Sequence, residues 1–591
     1  MKITCIFLAI SFCVVSASPL ARRSVRSFSV VALSTQDTNV VDIGVEIIDG
    51  KVYTMETNPD QSNLLHHVDI PTEELFATGE IKYRYVLLEP NTQTVKDTEP
   101  FERTVSEKDS VLNEFYGRET TVYDDVPTLP DAEDRDLLPL GFHRTPNTLH
   151  RYNEIVTLHI VAPPDQVDQM HTNYKDDIHV KGTMTYISSD TVRTFEGCTF
   201  SIGGRSSKRF TKLPYKFKLG KKDDLGGYRK FKLRTTASDP SYLREKLAYD
   251  IHSAAGRPIS KASYVRVFIN DQAIGLFLFA ESYDKIWLQN EFGEDEGNGA
   301  LYKSQGPLSK DKRVDDLSYY PDDLASYDTM FAVEEGGKSK KDKSDLLELI
   351  EFIDQQLKWQ EDKKDDDEAL DGSVELWESH LNVKGTLTNL ALEFLLGTWD
   401  NYIQNAQNYY LYKPSKDTPM DWLAWDFDYS FGNGPVHMDR LVTGDYHNFT
   451  GMLTRPVSKA LLAVPAFRDR FETQLTYIVT NIMAPTITTP WIDEWVKILK
   501  VDILWDQSLP RVRSGKSYDE MTHLAGGGSG SEGMTLPPGF SVGTGMDFMS
   551  RVNSNVSLSE AIEGPSSHDS LIPLKEFIQK KTEGVIEVFS S

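Results

Sequence analysis

The stretches "WDNYIQNAQNYYLY" (residues 399–412) and "LAWDFDYSFGNG" (residues 423–434) each combine a short apolar run with acids and amides. The runs "NYYLY" and "WLAW" predict two neighbouring strands joined by a proline-containing turn. Asp400 and Asn408 precede the first strand, and Asp426 follows the second. Hard oxygen ligands gathered at the ends of adjacent strands are typical of a magnesium site rather than of a hydrophobic core.

Upstream of this hairpin, the chain predicts a run of strands with one helix. Five alternating runs over 154–235 predict strands, and apolar residues at helical spacing over 239–256 predict a helix capped by Asp239. Two more strands follow over 263–282. Strands, one helix and two strands also form the small lobe of a protein kinase, although mixed sheets with one helix occur in many folds.

Downstream, two helical patterns strengthen this interpretation. Apolar residues recur at helical spacing over 344–358 and 385–396, and the second helix runs directly into Asp400. A helix, a polar loop, two strands and an acid are the order in which a kinase large lobe presents its catalytic loop and metal-binding acid. We therefore predict an α+β, atypical protein-kinase-like two-lobe fold, with a small lobe over about 146–285 and a large lobe over about 286–591.

The N-terminal region has a different pattern. Residues 25–115 alternate apolar and polar side chains in short bursts, and "DG" at 49–50 lies between two of them, as in a β-hairpin. This predicts a small all-β sandwich, followed by an acidic, proline-containing linker over 116–145. The module either binds carbohydrate or a surface, or supports the next domain. The supporting role is favoured because the sequence places no aromatic platform on it.

The first residues have the features of a secretory signal. One lysine, a short apolar run and small residues before the cleavage point predict a signal peptide over 1–17. Cys198 alone then remains, so no internal disulfide is expected. Asn448 in "NFT" and Asn555 in "NVS" are candidate glycosylation sites. The C-terminal residues are too polar for a lipid-anchor signal, so we expect a secreted protein without a stable membrane anchor.

Acidic residues outnumber basic residues by 89 to 63, which gives a formal net charge of −26. Such a field repels nucleic acid and anionic membranes, so neither is an expected partner. The sequence has no glycine-flanked serine elbow, no zinc-type spacing of histidine and cysteine, and no Walker loop. No other constellation therefore competes with the acids of the hairpin.

The acids and amides of the hairpin suit phosphoryl transfer. That reaction needs a carboxylate near the acceptor hydroxyl, an amide or acid on one metal ion, and an acid between metal and phosphates. We assign Asp400 as the base or orienting acid, Asn408 as the loop ligand and Asp426 as the main metal acid. Asn408 is preferred to Asn405 because it directly precedes the strand, and Asp428 could replace or join Asp426. The plain alternative is a turn cap with solvated acids at a strand end.

Four further motifs accompany the hairpin in a fixed order: "RSSKRFTKLPYKFKLGKK", "DPSYLREKLAYDI", "VRVFINDQAIGLFLFAESYDK" and "GALYKS". Together with the hairpin, these motifs resemble the spore-coat protein H (CotH) family of secreted kinases, and within it the fungal, mucoralean branch. The resemblance covers roughly residues 145–440 and, more loosely, the remainder of the chain.

This resemblance implies an atypical kinase-like fold, ATP with Mg²⁺ or Mn²⁺, and phosphate transfer to serine or threonine of secreted or spore-coat proteins. It also implies an extracellular location, at the spore surface or cell wall. Some fungal members are instead surface ligands of host receptors, so a catalytically silent protein that contacts a host or wall surface is the alternative. Segment 304–320 does not match the host-binding peptide of those members, which favours the kinase.

The usual kinase arrangement pairs a lysine of the third strand with a glutamate of the following helix. Lys232 and Arg234 share one face of their predicted strand, so either is a candidate partner for Glu245. The same ligands could also serve AMP transfer if the nucleotide bound in reverse.

Two further segments are candidates for nucleotide contact. The stretch "SIGGRSSKRF", residues 201–210, supplies glycines, hydroxyls and Arg205 at a strand turn, where backbone amides could cradle phosphates. The order of elements places Glu281 and Ser282 at the hinge that binds adenine.

Overall fold

The computed structural model describes residues 24–589 except for internal segments, and the predicted signal peptide lies outside this range. The internal segments are 37–38, 49, 59–60, 76–78, 135, 139–143, 294–295, 307–312, 337–341 and 519–538. The chain divides into two compact units with the boundary between Thr121 and Val122.

The N-terminal unit is built from strands and one helical turn. They are β1 (Val25–Val31), β2 (Thr35–Gln36), β3 (Asn39–Val40), β4 (Asp42–Ile47), β5 (Lys51–Thr54), β6 (Glu56–Asn58), β7 (Ser62–Pro71), α1 (Thr72–Leu75), β8 (Ile81–Leu88), β9 (Val95–Thr98), β10 (Arg103–Val105) and β11 (Asn113–Phe115). One sheet has the order β11-β1-β7-β6, and the other has the order β10-β8-β4-β5 with β9 also on β8. Inward side chains of both sheets, such as Val30 and Val45, share one core. Two sheets on one core form the predicted sandwich.

The predicted hairpin at residues 49–50 is confirmed by the pairing of its strands. Strands β4 and β5 are antiparallel, with Glu46 opposite Val52. Gly50 has a φ of 94°, in the left-handed region that favours glycine. Asp49 itself lies outside the described residues.

Seven strands of the second unit close into a barrel. Its elements are β12 (Val156–Val161), α2 (Pro164–Thr172), β13 (Val180–Ile187), β14 (Val192–Ile202), β15 (Tyr215–Lys218), β16 (Lys230–Arg234), α3 (Arg244–Ala254), β17 (Ala262–Ile269) and β18 (Gln272–Glu281). The strand order is β12-β13-β14-β15-β16-β18-β17, and the barrel closes because β12 pairs in parallel with β17. Neither this closure nor α2 follows from the alternating sequence pattern, because the pattern does not identify pairing partners.

Helix α3 begins later than the sequence predicts. Tyr242 has a φ of 61°, so the chain cannot be helical through this residue. Asp239 still caps the helix from outside, because its carboxylate accepts a hydrogen bond from the backbone N–H of Arg244 at 2.9 Å. The same carboxylate accepts a bond from the guanidinium of Arg244 at 2.5 Å. The helix therefore starts at Arg244 rather than after Asp239.

The remainder of the second unit combines a sheet with helices. The strands are β19 (Ala300–Ser304), β20 (Phe331–Glu335), β21 (Tyr409–Lys413) and β22 (Asp421–Ala424), in the order β20-β19-β21-β22. The helices are α4 (Lys285–Phe292), α5 (Tyr327–Met330), α6 (Ser344–Asp362), α7 (Asp367–Asp371), α8 (Val374–His380), α9 (Val383–Leu396), α10 (Tyr402–Asn405), α11 (Met438–Leu441), α12 (Pro456–Ala463), α13 (Pro465–Asn481), α14 (Pro485–Ser508), α15 (Val542–Arg551), α16 (Leu558–Ile562) and α17 (Leu574–Phe589). Strands β21 and β22 form the predicted antiparallel hairpin. Helices α6 and α9 confirm the two predicted helices before it.

Helix α14 joins the barrel to the rest of this unit. The ring of Tyr264 on β17 lies 5.3 Å from the ring of Trp495, measured between centroids. Arg266 Nε donates to Asp502 Oδ1 at 2.5 Å, and both side chains are buried. One hydrophobic core therefore extends from the barrel into the helices. In the described part of the chain, no helix has both the length and the apolar content needed to cross a membrane.

Candidate active site

A cleft of about 290 Å³ opens where the barrel meets the second sheet. Its walls come from the β14–β15 turn, from β15, β16 and β19, and from the segments before β21 and after β22. Most of the residues proposed from the sequence line it: Arg205, Lys232, Arg234, Asp400, Asn408, Asp426 and Asp428. The structure therefore brings the acids of the hairpin and the cations of the barrel into one space.

Asp400 is held by side-chain amides of its own loop. Its carboxylate accepts hydrogen bonds from Asn405 Nδ2 at 2.7 Å, from Asn408 Nδ2 at 3.1 Å and from Gln407 Nε2. Asn408 Nδ2 also donates to the backbone oxygen of Asp400 at 2.9 Å. The amide nitrogen of Asn408 thus faces Asp400, which leaves its amide oxygen for a cation. Asn405 bonds Asp400 but is not among the residues that line the cleft.

The backbone is left-handed at two of the proposed metal ligands. Asn408 has a φ of 60° and Asp426 a φ of 69°. Asn and Asp are the non-glycine residues that tolerate this conformation best. Each residue interrupts the extended chain at one end of the β21–β22 hairpin, so its side chain is directed differently from those of the strand.

Arg234 is the residue of β16 that pairs with Glu245. Its Nε lies 2.7 Å from Glu245 Oε1, and its Nη2 donates to Asp426 Oδ1 and lies 3.7 Å from Asp428 Oδ1. One guanidinium therefore links helix α3 to the acids that follow β22. Of the two strand residues proposed from the sequence, Arg234 is the one that pairs with the helix glutamate.

Lys232 faces the same cleft without an ion pair in the described part of the chain. Its Nζ lies 3.8 Å from the centroid of the Trp425 ring. Lys216 lies opposite Lys232 in the register of β15 and β16, and Lys303 lines the cleft from β19. Burial lowers the pKa of Lys232 well below its usual range, and the charges of Lys303 and Arg234 act in the same direction. This wall suits an anion that carries several charges.

The acids on the opposite wall repel one another. Burial raises the pKa of Asp400 to about 7, and the charge of Asp426 acts in the same direction. Burial and Asp426 also raise the pKa of Asp428 well above its usual range. Burial opposes ionisation of Asp426 as well, but the Arg234 guanidinium holds the pKa of Asp426 below its usual range. Ionising Asp428 beside the charged Asp426 therefore costs free energy, and a cation bound nearby would offset this cost.

These donors fit a magnesium or manganese ion. Asp426 and Asp428 supply neighbouring carboxylates, and Asn408 supplies an amide oxygen. Mg²⁺ binds through one or two carboxylates and keeps several water ligands. Among residues that the structure describes, no group of three or more His, Cys, Asp or Glu side chains could hold a metal ion.

The glycine-rich turn between β14 and β15 forms the rim of the cleft. Gly204 has a φ of 72°, and a Cβ on this residue would lie 1.8 Å from Ser207 Oγ, so the turn requires glycine here. Arg205 is exposed, and its Nη2 donates to Gln305 Oε1 at 3.3 Å across the cleft. The segment 201–210, proposed from the sequence, therefore does lie at the cleft, although it lacks the G-x-G-x-x-G spacing of kinases.

Glu281 and Ser282 do not enter the cleft. The Glu281 carboxylate is buried, accepts hydrogen bonds from Arg144 and from the backbone N–H of Lys261 at 3.1 Å, and lies 3.2 Å from His150 Nε2. The backbone N–H of Ser282 donates to Lys230 at 2.9 Å. The placement of Glu281 and Ser282 at an adenine-binding hinge stays a prediction, and the Glu281 carboxylate itself pairs with Arg144.

The two candidate glycosylation sites are both exposed. Asn448 ends a 3₁₀ turn over Tyr446–Asn448, and its Nδ2 donates to Asp445 Oδ2 at 3.1 Å. Asn555 lies at the mouth of a second, larger cleft of about 370 Å³. Attachment of sugar at either residue remains a prediction.

Several residues of the cleft were missed at the level of sequence: Lys216, Lys303, Gln305, Gln407 and Trp425. Trp425 and Gln407 each directly precede a proposed ligand in the sequence, so they could have been predicted to lie in the cleft. Lys216 and Lys303 belong to different sheets, so only the packing of the sheets reveals them.

Comparisons with known proteins identify the relatives of this chain. The profile of the CotH kinase protein family matches residues 200–520, more than half of the chain. The chain is 26% identical over 429 residues to Spore coat protein homolog 1 of Rhizopus delemar, covering 71% of this chain and 66% of that protein. It is 27% identical over 429 residues to Invasin CotH2 of the same organism, covering 71% and 69%. Inner spore coat protein H of Bacillus subtilis is 22% identical over 316 residues, covering 51% and 76%.

The alignment with Spore coat protein homolog 1 spans slightly less than two thirds of that relative. The residues that line the cleft, from Gly203 to Asp428, all lie inside the segment matched by the family profile. Because this segment covers more than half of the chain and contains the whole cleft, the protein belongs to the CotH kinase family.

Proposed function

We propose that the protein is a secreted, metal-dependent kinase that transfers the γ-phosphate of ATP to serine or threonine of spore-coat or other extracellular proteins. One observation carries the proposal: cations of the barrel and acids of the β21–β22 hairpin face each other in one cleft. Phosphoryl transfer is catalysed mainly by positioning and by electrostatic stabilisation, and this cleft offers both. Family membership supports the reaction class.

Asp400 is the proposed base or orienting acid for the acceptor hydroxyl. Hydrogen bonds from Asn405, Gln407 and Asn408 fix the orientation of its carboxylate. Burial raises the pKa of Asp400 to about 7, which makes it a stronger proton acceptor than an ordinary aspartate.

Arg234 and Lys232 are the proposed phosphate-binding groups. Glu245 holds Arg234 in place, as the helix glutamate of kinases holds its lysine. Lys232 is steadied by the Trp425 ring rather than by a carboxylate, so its ammonium is available to an anion. Arg205 and the glycines beside it would cover the phosphates from the rim.

Asn408, Asp426 and Asp428 would hold Mg²⁺ or Mn²⁺. A divalent cation bound there would neutralise charge on the phosphates of ATP. Arg234 contacts Asp426 directly, so its guanidinium and the cation would share this carboxylate.

We further propose that the barrel is the small lobe of a kinase-like fold and that the sheet β19–β22 with its helices is the large lobe. The position of the cleft where these parts meet supports this comparison, as does the order of elements.

The alternative is a catalytically silent protein that contacts a wall or host surface. Three relatives are named invasins, which supports this function. Other relatives are named as spore coat proteins, which supports a location at the spore surface or cell wall for either function. A silent scaffold has no need to hold three acids together against repulsion, which favours the kinase.

The decisive experiment is phosphate transfer by the purified protein, to itself and to a spore-wall extract, with Mg²⁺ and then Mn²⁺. ATP labelled at the γ-phosphate is compared with ATP labelled at the α-phosphate. Asp400→Ala and Asp426→Ala are tested beside Asp417→Ala, an exposed aspartate in the turn between β21 and β22.

We expect γ-label on protein with the wild type and Asp417→Ala, and none with the other two variants. Transfer of the α-label would instead establish AMP transfer. An absence of labelling, together with no thermal shift on adding ATP and metal, would establish the silent scaffold.

A further inference from the structure

The N-terminal unit contains a cavity of about 260 Å³ that the proposed kinase reaction does not use. It opens between the two sheets of the sandwich, with Arg26 and Phe28 of β1 on one side and Tyr83 and Tyr85 of β8 on the other. A molecule of liquid water occupies about 30 Å³, so the cavity has room for about eight waters or for one small organic molecule.

Arg26 is an unusual residue for its position. Alternate residues of β1 point into the sandwich, and Phe28 and Val30 belong to its core. Arg26 follows the same alternation and is only 8% exposed. An inward arginine among core residues carries a desolvation cost that requires a compensating partner.

The guanidinium of Arg26 has only part of that compensation. Its Nη1 donates to the backbone oxygen of Asp109 at 2.5 Å and its Nη2 to that of Ser110 at 3.3 Å. Its Nε is buried without a hydrogen-bond partner. In the described part of the chain, no carboxylate forms an ion pair with Arg26. By contrast, Arg103 in the same unit is paired with Glu99 at 2.7 Å and with Glu114 at 3.1 Å.

Across the cavity, the lining groups accept hydrogen bonds rather than donate them. The hydroxyls of Tyr83 and Tyr85 donate to Glu114 Oε2 at 2.8 and 2.7 Å, so their oxygens retain lone pairs. Arg103 neutralises the Glu114 carboxylate. Apolar side chains in the rest of the lining are those of Phe28, Val105 and Leu112. The cavity therefore offers a cation at one side, acceptors at the other and an apolar face between them.

We propose that this cavity binds a hydroxylated carboxylate about the size of one sugar ring, such as a sugar acid. The carboxylate of the ligand would face Arg26 and complete its hydrogen bonding. Hydroxyls of the ligand would donate to Glu114 and to the tyrosine oxygens, and the carbon face would lie against Phe28. The site is independent of the kinase cleft and gives the β-sandwich a binding role.

The test is isothermal titration calorimetry on the whole protein with three probes: glucuronate, glucose as its neutral counterpart, and acetate as the carboxylate alone. Arg26→Met removes the guanidinium and keeps an apolar stem. Arg84→Met is the matched control, because Arg84 lies in the same unit and forms an ion pair with Glu46 outside the cavity. Phosphate transfer is measured on both variants and is expected to be unchanged.

We expect saturable binding of glucuronate, at least about tenfold tighter than that of glucose or acetate, equivalent to about 1.4 kcal/mol. Arg26→Met should weaken glucuronate binding by at least about tenfold, and Arg84→Met should not. If Arg26→Met unfolds the sandwich, Leu112→Trp provides the same test, because it fills the cavity and leaves the guanidinium in place. Equal binding of glucose and glucuronate, undiminished binding of glucuronate by folded Arg26→Met or by Leu112→Trp, or no saturable heat up to about 10 mM glucuronate would overturn the proposal.

Discussion

Two clefts of the second unit differ in how their charges are satisfied. In the larger cleft, of about 370 Å³, Lys212 lies 2.8 Å from Asp506 and Arg511 lies 3.3 Å from the same carboxylate. In the smaller cleft, of about 290 Å³, Asp426 and Asp428 share the guanidinium of Arg234. Lys232 forms no ion pair there with any residue that the structure describes. In the larger cleft the protein itself pairs the buried Asp506 carboxylate with two cations, whereas the smaller cleft holds two carboxylates on one guanidinium and a lysine that a bound ligand could pair.

The pKa values express the same difference. Burial acts to raise the pKa of Asp506, but Lys212 and Arg511 outweigh it and hold the pKa below its usual range. Burial and Asp426 raise the pKa of Asp428 well above its usual range. Unsatisfied charge, rather than volume, therefore identifies the candidate active site.

The largest expected effect is a loss of phosphate-transfer rate when the smaller cleft, but not the larger one, is altered. Asp400→Asn should lower the rate of phosphate transfer by about 10²- to 10⁴-fold, because the amide cannot accept the hydroxyl proton. Asp506→Asn, in the larger cleft, should leave the rate per folded molecule unchanged. Initial rates with γ-labelled ATP, normalised to the folded fraction by circular dichroism, provide the measurement. A similar loss of rate in both variants would remove the distinction between the clefts.

The same substitution in each cleft should have opposite consequences. Lys212→Met removes a buried cation from Asp506 and should lower the free energy of unfolding by about 3 kcal/mol, with little change in KM for ATP. Lys232→Met should raise that KM by about 10- to 100-fold, as expected for a lost hydrogen bond to a charged group, with little loss of stability. Urea unfolding and steady-state kinetics on both variants measure these effects. A stability loss for Lys232→Met as large as that for Lys212→Met would contradict the comparison.

A buried glutamate of helix α9 should make stability depend on pH. Burial raises the pKa of Glu393 to about 8, and its carboxylate accepts a hydrogen bond from the backbone N–H of Ile403 at 2.9 Å. The unfolded chain loses this proton near pH 4.5, while the folded chain keeps it to about pH 8. Between these values the folded state binds more protons, so stability should fall as pH rises.

Glu393→Gln imitates the protonated side chain, so its stability should lack the pH dependence that Glu393 causes. From pH 5 to pH 8, the wild type should therefore lose free energy of unfolding relative to the variant, by no more than about 4 kcal/mol. Urea unfolding at several pH values measures the difference. A difference that does not change with pH would show that Glu393 is ionised throughout.

The smallest expected effect concerns metal binding. At about ten times its Kd, Mg²⁺ should stabilise the protein by about 1.4 kcal/mol, because it relieves the repulsion between Asp426 and Asp428. Asp428→Asn should be more stable than the wild type without metal and should gain less from Mg²⁺. Thermal unfolding with and without Mg²⁺ tests this, with NaCl of equal ionic strength as the control. An equal gain in both proteins would exclude Asp428 as a ligand.

The β21–β22 hairpin could be predicted from sequence because its signals are local. Asp400, Asn408 and Asp426 flank two strands that pair with each other, so their approach depends on a single turn. The choice between Lys232 and Arg234 could not be made in this way, because both lie on the same face of β16. It depends on which residue reaches helix α3, and this is decided by packing between elements.

The order of elements predicted positions along the chain but not contacts. Glu281 lies at the expected place, the end of β18, and its carboxylate accepts a hydrogen bond from Arg144, 137 residues earlier in the chain. The closure of the barrel was also hidden, because β12 and β17 are separated in the sequence by four strands, β13 to β16, and by the helices α2 and α3. Pairings between distant residues leave no periodic signal in either partner.

That closure has a consequence for how the protein is made. Strand β12 cannot form its parallel pairing until β17 has been synthesised. Arg266 can form its hydrogen bond with Asp502 only after a further 236 residues have been synthesised. Contacts between distant residues slow folding. Cys198 is buried and free, so no disulfide within the described residues can hold a half-built barrel together. The yield of folded protein should therefore respond to temperature and to chaperone supply more strongly than to the redox state of the compartment in which it is produced.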